Sequence, residues 1–317
     1  IALGCAVLIG PGKGFGLATD ASFEASTPPS LVEVLIGIFP RNVIAAMSEG
    51  NMLQIIVFAS LFGIALTLSG KPGKRLLAIF NDLNEVIMTL VWVVMRVAPY
   101  GVFALIARTF ATQGFEAFGP LLKNFFLVLG VLFLHALVTY PTLLKLLAGL
   151  SPKPFLRKIR EVQIFAFSTA SSNATIPITL KTVEENLGVK NSVASFTVPL
   201  GATINMDGTA IMQGVATVFI AQAYSMGLDL SDYLMVVLTA TLASIGTAGV
   251  PGVGLIMLSM VLTQVGLPVE GIGLIIGIDR LLDMVRTAVN VTGDSAVSCI
   301  VAQREGELDQ SVYDLPS

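Results

Sequence analysis

The stretch SIGTAGVPGVG, residues 244–254, lies in the middle of a 37-residue run, 233–269, that contains no charged side chain. An apolar run of this length is typical of chains that cross a bilayer. Four glycines and one proline within eleven residues would nevertheless break a helix. An irregular backbone is tolerated at membrane depth only where it is packed in protein or lines a cavity. The stretch therefore predicts a re-entrant hairpin with its tip at the glycine run.

Two further interruptions occur upstream of this stretch. The segment FAFSTASSNATIPITL, 165–180, is rich in serine and indicates a second hairpin on a weaker pattern. The segment GATINMDGTA, 201–210, carries one acid, Asp207, within a helix-length apolar run, and its glycines favour local unwinding that frees carbonyls for a cation. The alternative is a single carboxylate hydrogen-bonded to its own backbone. Hairpin, broken helix, hairpin and polar helix follow in order, as in transporters built from inverted repeats.

The composition excludes several classes of protein. The 317 residues are 54% hydrophobic and 12% charged, with a mean hydropathy of +0.84, whereas soluble domains carry about 25% charged residues. The net charge is −3 and the basic residues are scattered, so nucleic acid is not an expected partner. We therefore predict an all-α membrane protein, a multi-span helical bundle in the lipid bilayer with two re-entrant hairpins.

The reactive side chains do not suggest an enzyme. Cys5 and Cys299 are far apart in sequence and indicate neither a disulfide framework nor a metal site. The single histidine, His135, lies in an apolar run and is interpreted as a helix residue with a local partner, because one histidine cannot build a catalytic cluster.

Basic residues orient the predicted membrane spans. Three long apolar stretches predict spanning helices: 51–70, 82–107 with a bend at Pro99 and Gly101, and 124–147. Basic groups follow the first and third of these, in the predicted turn KPGKR at 71–75 and at 145–160, and belong on the cytoplasmic side. Residues 11–30 and 108–120 then form outside loops. Residues 1–10 are too short to span and are interpreted as the end of a truncated membrane helix.

The segment DRLLDMVRTAVNVTGD, 279–294, places a narrow polar stripe on an apolar helix. At about 100° per residue its polar members fall within an arc of roughly 80°: Asp279, Asp283, Arg286, Asn290 and Asp294. Ionisable groups in a membrane are expensive and face protein or a water-filled site. One interpretation is a structural ion pair between Asp283 and Arg286. The interpretation we favour is a binding site, with cationic and anionic groups for a zwitterionic acid and oxygen ligands for a small cation.

Three segments of the chain, NMDGTA (205–210), SIGTAGVPGVG (244–254) and DMVRTAVNVTGD (283–294), resemble the signature segments of the glutamate/aspartate transporter family. That family comprises sodium- or proton-coupled carriers and excitatory amino acid transporters. The resemblance implies a homotrimeric, multi-pass protein of the plasma (inner) membrane that works as an elevator. It implies this division of the chain: the end of the third transmembrane helix at 1–10, an extracellular loop at 11–30, scaffold and trimerisation helices at 30–110, a transport domain at 120–305 and a cytoplasmic tail at 306–317.

The resemblance also implies substrate contacts. Asp283 would bind the amino group, Arg286 the side-chain carboxylate and Asn290 the main-chain carboxylate. The hairpin tips, at Ser171–Thr175 and Gly246–Gly254, and the helix break would supply the remaining contacts: Ser171, Ser172, Thr209, Val250 and Gly254. Asp279 and Arg280 receive no role beyond a supporting one.

Sodium ions are the coupling ions that the resemblance implies, with no organic cofactor. The first would bind Asp294 and the carbonyls of Gly201, Asn205 and Asn290. The second would bind the carbonyls of Thr203, Ser244, Ile245 and Thr247. A third would involve Asn205 and Asp207, with its other ligands before Ile1. Gln213 stands where animal members have a proton-carrying glutamate, which disfavours proton cotransport by that route.

The predicted function is therefore sodium-coupled import of aspartate or glutamate by a secondary active transporter. The alternatives are a proton-coupled glutamate carrier, a C4-dicarboxylate carrier and a substrate-gated anion channel. The Asp283 and Arg286 pair favours an amino acid over a C4-dicarboxylate, because the latter has no amino group.

Overall fold

A computed structural model describes residues 1–15, 37, 39–49, 52–96, 100, 103–104, 107, 111, 118–245, 249 and 251–315. All regular elements in these ranges are helical, and the β-structure there is limited to one isolated bridge between Val189 and Leu308. The chain divides into two compact units. One contains residues 1–26 and 116–317, and the other contains residues 27–115.

The helices of the first half are α1 (Ala2–Ile9), α2 (Val43–Glu49), α3 (Met52–Leu68), α4 (Lys71–Met95), α5 (Phe118–Leu134), α6 (Tyr140–Ala148), α7 (Pro152–Lys158), α8 (Arg160–Thr169) and α9 (Ser172–Lys181). Those of the second half are α10 (Asn191–Ile204), α11 (Asp207–Ala223), α12 (Leu230–Ile245), α13 (Val253–Gln264), α14 (Ile272–Glu305) and α15 (Gln310–Asp314). Two π-turns, His135–Thr139 and Thr182–Asn186, and a 3₁₀ turn, Val269–Gly271, complete the elements.

In the smaller unit, α3 matches the predicted span at 51–70, but the predicted turn at 71–75 is wrong. Those residues form the first turn of α4. Pro72 is tolerated there because the first helical N–H groups have no partner within the helix. Pro99 and Gly101, the predicted bend, lie outside the described residues.

The longest apolar helical stretch of the described chain is in the larger unit. Residues Phe118–Ala148, which include α5, a π-turn and α6, have a mean hydropathy of 2.1 and are long enough to cross a bilayer. No other helix in the described ranges meets both conditions. The predicted span at 124–147 lies within this stretch.

The three predicted interruptions of the apolar helices are confirmed. Between α10 and α11, Asn205 and Met206 leave the helical conformation. Helix α12 ends at Ile245 and α13 begins at Val253, with Gly252 at φ 82° before it. Only glycine adopts that conformation at little cost. Each of the helix pairs α8 with α9 and α12 with α13 packs together as a helical hairpin.

The first hairpin turns earlier than predicted. The predicted tip was Ser171–Thr175, but α9 already begins at Ser172, so the turn consists of Ala170 and Ser171. The Ser171 side chain accepts a hydrogen bond from the N–H of Ala174 and caps α9, which explains why the helix begins at once. Ala170 has a left-handed φ of 51°, which is uncommon for a residue with a Cβ atom.

Helix α14 is the central element of the larger unit and packs against α5, α6, α8, α10 and α11. Its predicted polar stripe faces inward. All five stripe residues are buried, whereas the side chain of Arg280, beside the stripe, is 49% exposed. The stripe is thus enclosed by protein, as expected for ionisable groups in an apolar environment.

The C-terminal segment folds back onto the residues that flank the first hairpin on either side. Residue 307 accepts a backbone hydrogen bond from Lys190, and residue 309 donates one to Gly188. Lys158, 9% exposed, donates from Nζ to the carbonyls of Val312 (2.7 Å) and Tyr313 (2.8 Å). Burial lowers the pKa of the Lys158 ammonium below its usual value. The predicted tail at 306–317 is therefore, up to residue 315, a docked segment.

We expect Lys158→Met to remove both hydrogen bonds and release this segment. Hydrogen bonds to a charged donor each contribute about 1.5–3 kcal/mol, so the loss of both, at least about 3 kcal/mol, should lower Tm by roughly 6–12 °C. Thermal unfolding in detergent and proteolysis of the C-terminal segment measure this. Lys145→Met is the control, because Lys145 is exposed. Equal Tm values for the two variants would contradict the assignment.

Candidate functional site

The tips of the two hairpins meet. Ser171 Oγ donates to the carbonyl of Gly249 at 2.7 Å, and the N–H of Asn173 donates to the same carbonyl at 3.2 Å. A side chain at Gly249 would lie 2.7 Å from Asn173 Oδ1 and 2.9 Å from the carbonyl of Ala202. The close approach therefore depends on glycine at position 249.

A small cavity lies beneath the tips. Its volume is about 10 Å³, close to the space that one water molecule needs. Six residues predicted to bind substrate line it: Ser172, Thr209, Gly254, Asp283, Arg286 and Asn290. Ser171 is in the contact between the tips, and Val250 lies outside the described residues.

Arg286 fills the centre of this site and is 2% exposed. Its Nη2 donates to Asp283 Oδ1 at 2.6 Å and its Nη1 to Asp279 Oδ1 at 3.3 Å. The ion pair that sequence analysis treated as the less favoured interpretation is therefore present. Asp279 is the second partner of the guanidinium. This contact gives a specific role to a residue for which the sequence predicted only a supporting one. Arg280 Nη1 lies 4.0 Å from Asp283 Oδ2.

The second hairpin also contacts Asp283. The N–H of Gly252, at the start of α13, donates to Asp283 Oδ2 at 3.0 Å. A Cβ atom at Gly254 would lie 2.9 Å from Arg286 Nη2. Both charges of the pair are thus in contact with the same hairpin tip.

Asn290 is held by the helix break. Its Oδ1 accepts from the N–H of Gly208 at 2.8 Å, and its Nδ2 donates to Met206 Sδ at 3.2 Å. These contacts define which way the amide points. Asn290 belongs to α14, but its side chain lies at the N-terminus of α11, where free N–H groups attract anionic groups.

Asp294, 2% exposed, is the centre of a second group of predicted ligands. Asn205 Nδ2 donates to Asp294 Oδ1 at 2.8 Å and to the carbonyl of Asn290 at 3.3 Å. A Cβ atom at Gly201 would lie 2.6 Å from Asp294 Oδ1. The four residues predicted for the first sodium ion are therefore neighbours.

Asp207 contacts one side chain from the π-turn after α5 and one from the first residue of α6. His135 Nε2 lies 3.2 Å from Asp207 Oδ2, and Tyr140 Oη donates to the same oxygen at 3.0 Å. The predicted local partner of His135 is present as the ring of Tyr140, but its hydrogen-bond partner is not local, because Asp207 lies 72 residues away in sequence. Sequence periodicity gives no information about a contact between such distant helices.

The residues predicted for the second sodium ion are not linked by hydrogen bonds within the described chain. Thr203 Oγ1 donates to the carbonyls of Pro199 and Leu200, and Ser244 Oγ donates to that of Thr241. Ile245 is 40% exposed, and Thr247 lies outside the described residues. Over the described ranges, no group of three or more His, Cys, Asp or Glu side chains is arranged to hold a metal ion.

Several residues of the site were not among the predicted ones. Four additional residues line the small cavity: Ala170, Met206, Gly249 and Thr287. Met206 lies within the predicted helix break at 201–210, and Gly249 lies within the predicted hairpin at 244–254. Only their position in these segments could have indicated that they line the cavity. Thr287 is next to Arg286, and its hydroxyl donates to the carbonyl of Asp283 at 2.8 Å.

Comparison with known proteins identifies many relatives of this chain. The chain is 37% identical over 312 residues to the proton/glutamate-aspartate symporter of Escherichia coli (strain K12), covering 95% of this chain and 71% of that protein. It is 36% identical over 281 residues to the proton/sodium-glutamate symport protein of Geobacillus stearothermophilus, covering 89% and 66%. It is 41% identical over 272 residues to excitatory amino acid transporter 4 of Rattus norvegicus, covering 84% and 48%.

The family profile agrees with these pairwise matches. The profile described as the sodium:dicarboxylate symporter family matches residues 1–304, which include both hairpins, the helix break and the polar stripe of α14. The chain therefore belongs to the sodium:dicarboxylate symporter family.

Proposed function

We propose that this chain is part of a secondary active transporter that imports aspartate or glutamate together with sodium. The observation that carries this proposal is the buried Arg286, paired with Asp279 and Asp283 where two hairpin tips meet. The printed names of the relatives, glutamate and aspartate symporters, support the same substrate class. Among the residues of the site that the structure describes, no nucleophile lies beside a base, so these residues give an enzymatic function no support.

The charges of the site match those of an acidic amino acid. The substrate carries one ammonium and two carboxylates, and the site offers Asp283 for the ammonium, Arg286 for one carboxylate and Asn290 for the other. Binding would exchange the ion pair of Arg286 and Asp283 for one ion pair of each residue with the substrate, and the second carboxylate would be hydrogen-bonded to the neutral amide of Asn290. This exchange matters because an unpaired buried charge costs several kcal/mol.

The substrate can enter only if the tips separate. A cavity of about 10 Å³ is too small for an amino acid. Opening would break the hydrogen bonds from Ser171 to Gly249 and from Gly252 to Asp283. The second tip contacts both charges of the ion pair, so we infer that its movement frees Asp283 and Arg286 together. We propose that this tip is the gate.

Sodium binding would be coupled to substrate binding through Asn290. Its side chain lines the small cavity, and its carbonyl accepts from Asn205, which also contacts Asp294. A cation at Asp294 would compensate that carboxylate and fix Asn205, and through it the backbone at Asn290. Oxygen ligands of this kind suit a hard cation.

We further propose a homotrimer in the plasma (inner) membrane in which a transport domain moves as an elevator. The scaffold would comprise residues 30–110, and the transport domain would comprise 120–305 with 1–10. The division of the chain into two compact units supports these boundaries. Residues 11–30 would be extracellular and 306–317 cytoplasmic.

The central experiment is radiolabelled aspartate uptake into proteoliposomes of the full-length protein, with sodium and proton gradients imposed separately. We expect saturable uptake driven by the sodium gradient, and weak competition by succinate because it lacks the ammonium for Asp283. Uptake driven by the proton gradient alone would show that the coupling ion is the proton and not sodium. Strong competition by succinate would favour a C4-dicarboxylate carrier. A current that rises linearly with ion concentration, without uptake, would favour a channel.

We expect Arg286→Lys to reduce the apparent affinity for aspartate about 10- to 100-fold. A lysine keeps the charge but loses the planar fork that binds a carboxylate through two hydrogen bonds. The KM for aspartate at saturating sodium measures the effect. Arg280→Lys, on the same helix and half-exposed, is the matched control and should retain its KM. An unchanged KM in Arg286→Lys would refute the substrate site.

We expect Gly254→Ala to displace the Arg286 guanidinium and weaken aspartate binding by about tenfold while Tm changes little. The added methyl group meets the far end of a long side chain, which can move, and not the backbone. Equilibrium binding of aspartate and thermal unfolding separate the two effects. Gly130→Ala on α5 is the control, because nothing lies within 4 Å of its Cβ position. Equal affinities in both variants would mean that Arg286 does not contact the substrate.

A further inference from the structure

The π-turn His135–Thr139 gives two side chains a common direction. Residues five apart in an α-helix point about 140° away from each other. A π-turn adds one residue to the helix and reduces this separation to about 40°. The rings of His135 and Tyr140 accordingly pack edge to face, with centroids 4.7 Å apart. Such turns are frequent at functional sites.

Both side chains contact the same oxygen atom. His135 Nε2 and Tyr140 Oη lie 3.2 Å and 3.0 Å from Asp207 Oδ2. Within the described chain, His135 and Tyr140 have no hydrogen bond to Asp207 Oδ1 or to the Asp207 backbone. The Asp207 side chain is 39% exposed, whereas that of His135 is 15% exposed. Two contacts on one oxygen fix the rotation of the carboxylate and leave Oδ1 available to a ligand.

Tyr140 also lies against the Asp294 group. A Cβ atom at Gly293 would lie within 2.5 Å of both Tyr140 Oη and Asn205 Nδ2. Asn205 donates to Asp294, and Tyr140 donates to Asp207. The tyrosine hydroxyl therefore lies close to residues of two predicted cation sites. Tyr140 itself is 3% exposed, so its hydroxyl is held in place.

We propose that His135 and Tyr140 are positioning residues that orient Asp207 towards a coupling cation and thereby determine the sodium affinity of the carrier. This inference rests on the proposed sodium-coupled function. Neither residue binds the cation in this arrangement. Each acts through Asp207, and the π-turn is what brings both to the same oxygen.

The test uses the full-length protein with Tyr140→Phe, His135→Leu and His135→Gln. The first two variants lose one contact each, and the glutamine retains an amide donor. We expect the sodium concentration for half-maximal aspartate uptake to rise about tenfold in the first two. The glutamine variant should recover much of this loss. The KM for aspartate at saturating sodium should stay unchanged, because neither residue lines the small cavity.

A second measurement does not depend on transport. Sodium without aspartate should raise the Tm of the wild type, because a ligand that binds the native state stabilises it. We expect the variants to need about tenfold more sodium for the same increase. Tyr313→Phe is the matched control, since it also removes a tyrosine hydroxyl hydrogen bond, to the carbonyl of Ser151 at 2.9 Å. Its response to sodium should equal that of the wild type.

The outcomes separate the two proposals. If the wild type responds to sodium and the variants match it, or if they bind sodium more tightly, the positioning role is wrong while the carrier function stands. A change confined to the aspartate KM would also overturn it. If the wild type shows neither sodium-driven uptake nor a sodium-dependent Tm, the proposed function fails, and the positioning role fails with it.

Discussion

The structure depends on one constraint, the need to pair buried charges on α14. A guanidinium that is 2% exposed and three carboxylates that are almost as buried lie on one narrow stripe. An ion in such surroundings costs several kcal/mol unless it is paired and hydrogen-bonded. Two elements that pack on the stripe near the site supply hydrogen-bond partners. The second hairpin gives the N–H of Gly252, and the break between α10 and α11 gives the side chain of Asn205.

This constraint also explains why the backbone is broken where it is. A continuous helix uses its own N–H and carbonyl groups and has none to offer to a neighbouring charge. The irregular residues between α10 and α11, and the turns of the two hairpins, free such groups beside α14. Gly208 then donates to Asn290, and Gly249 accepts from Ser171. The polar stripe and the breaks are two parts of one arrangement.

Much of this arrangement could be predicted from the sequence, because periodicity and glycine content act locally. The stripe of α14, the break at Asn205 and the interruption after Ile245 follow from spacing and composition alone. Contacts between distant helices could not be predicted in this way. Nothing in the apolar sequence around His135 indicates that this side chain meets Asp207, or that a π-turn directs Tyr140 to the same oxygen. The sequence likewise left two interpretations of Arg286, a structural ion pair with Asp283 and a substrate-binding group, and spacing alone could not decide between them.

The glycines around the stripe have a consequence for how such carriers diversify. At Gly201, Gly208, Gly254 and Gly293 the space for a Cβ atom is already taken by Asp294, Arg286, Asn290, Asn205 or Tyr140. A larger residue at one of these positions therefore requires a smaller or rearranged partner. Variation at position 254 is linked in this way to the identity of residue 286, so a change of substrate charge in a relative would involve both positions together. In this chain the backbone at position 254 and the side chain at position 286 therefore limit each other's size, as do Gly201 and Asp294.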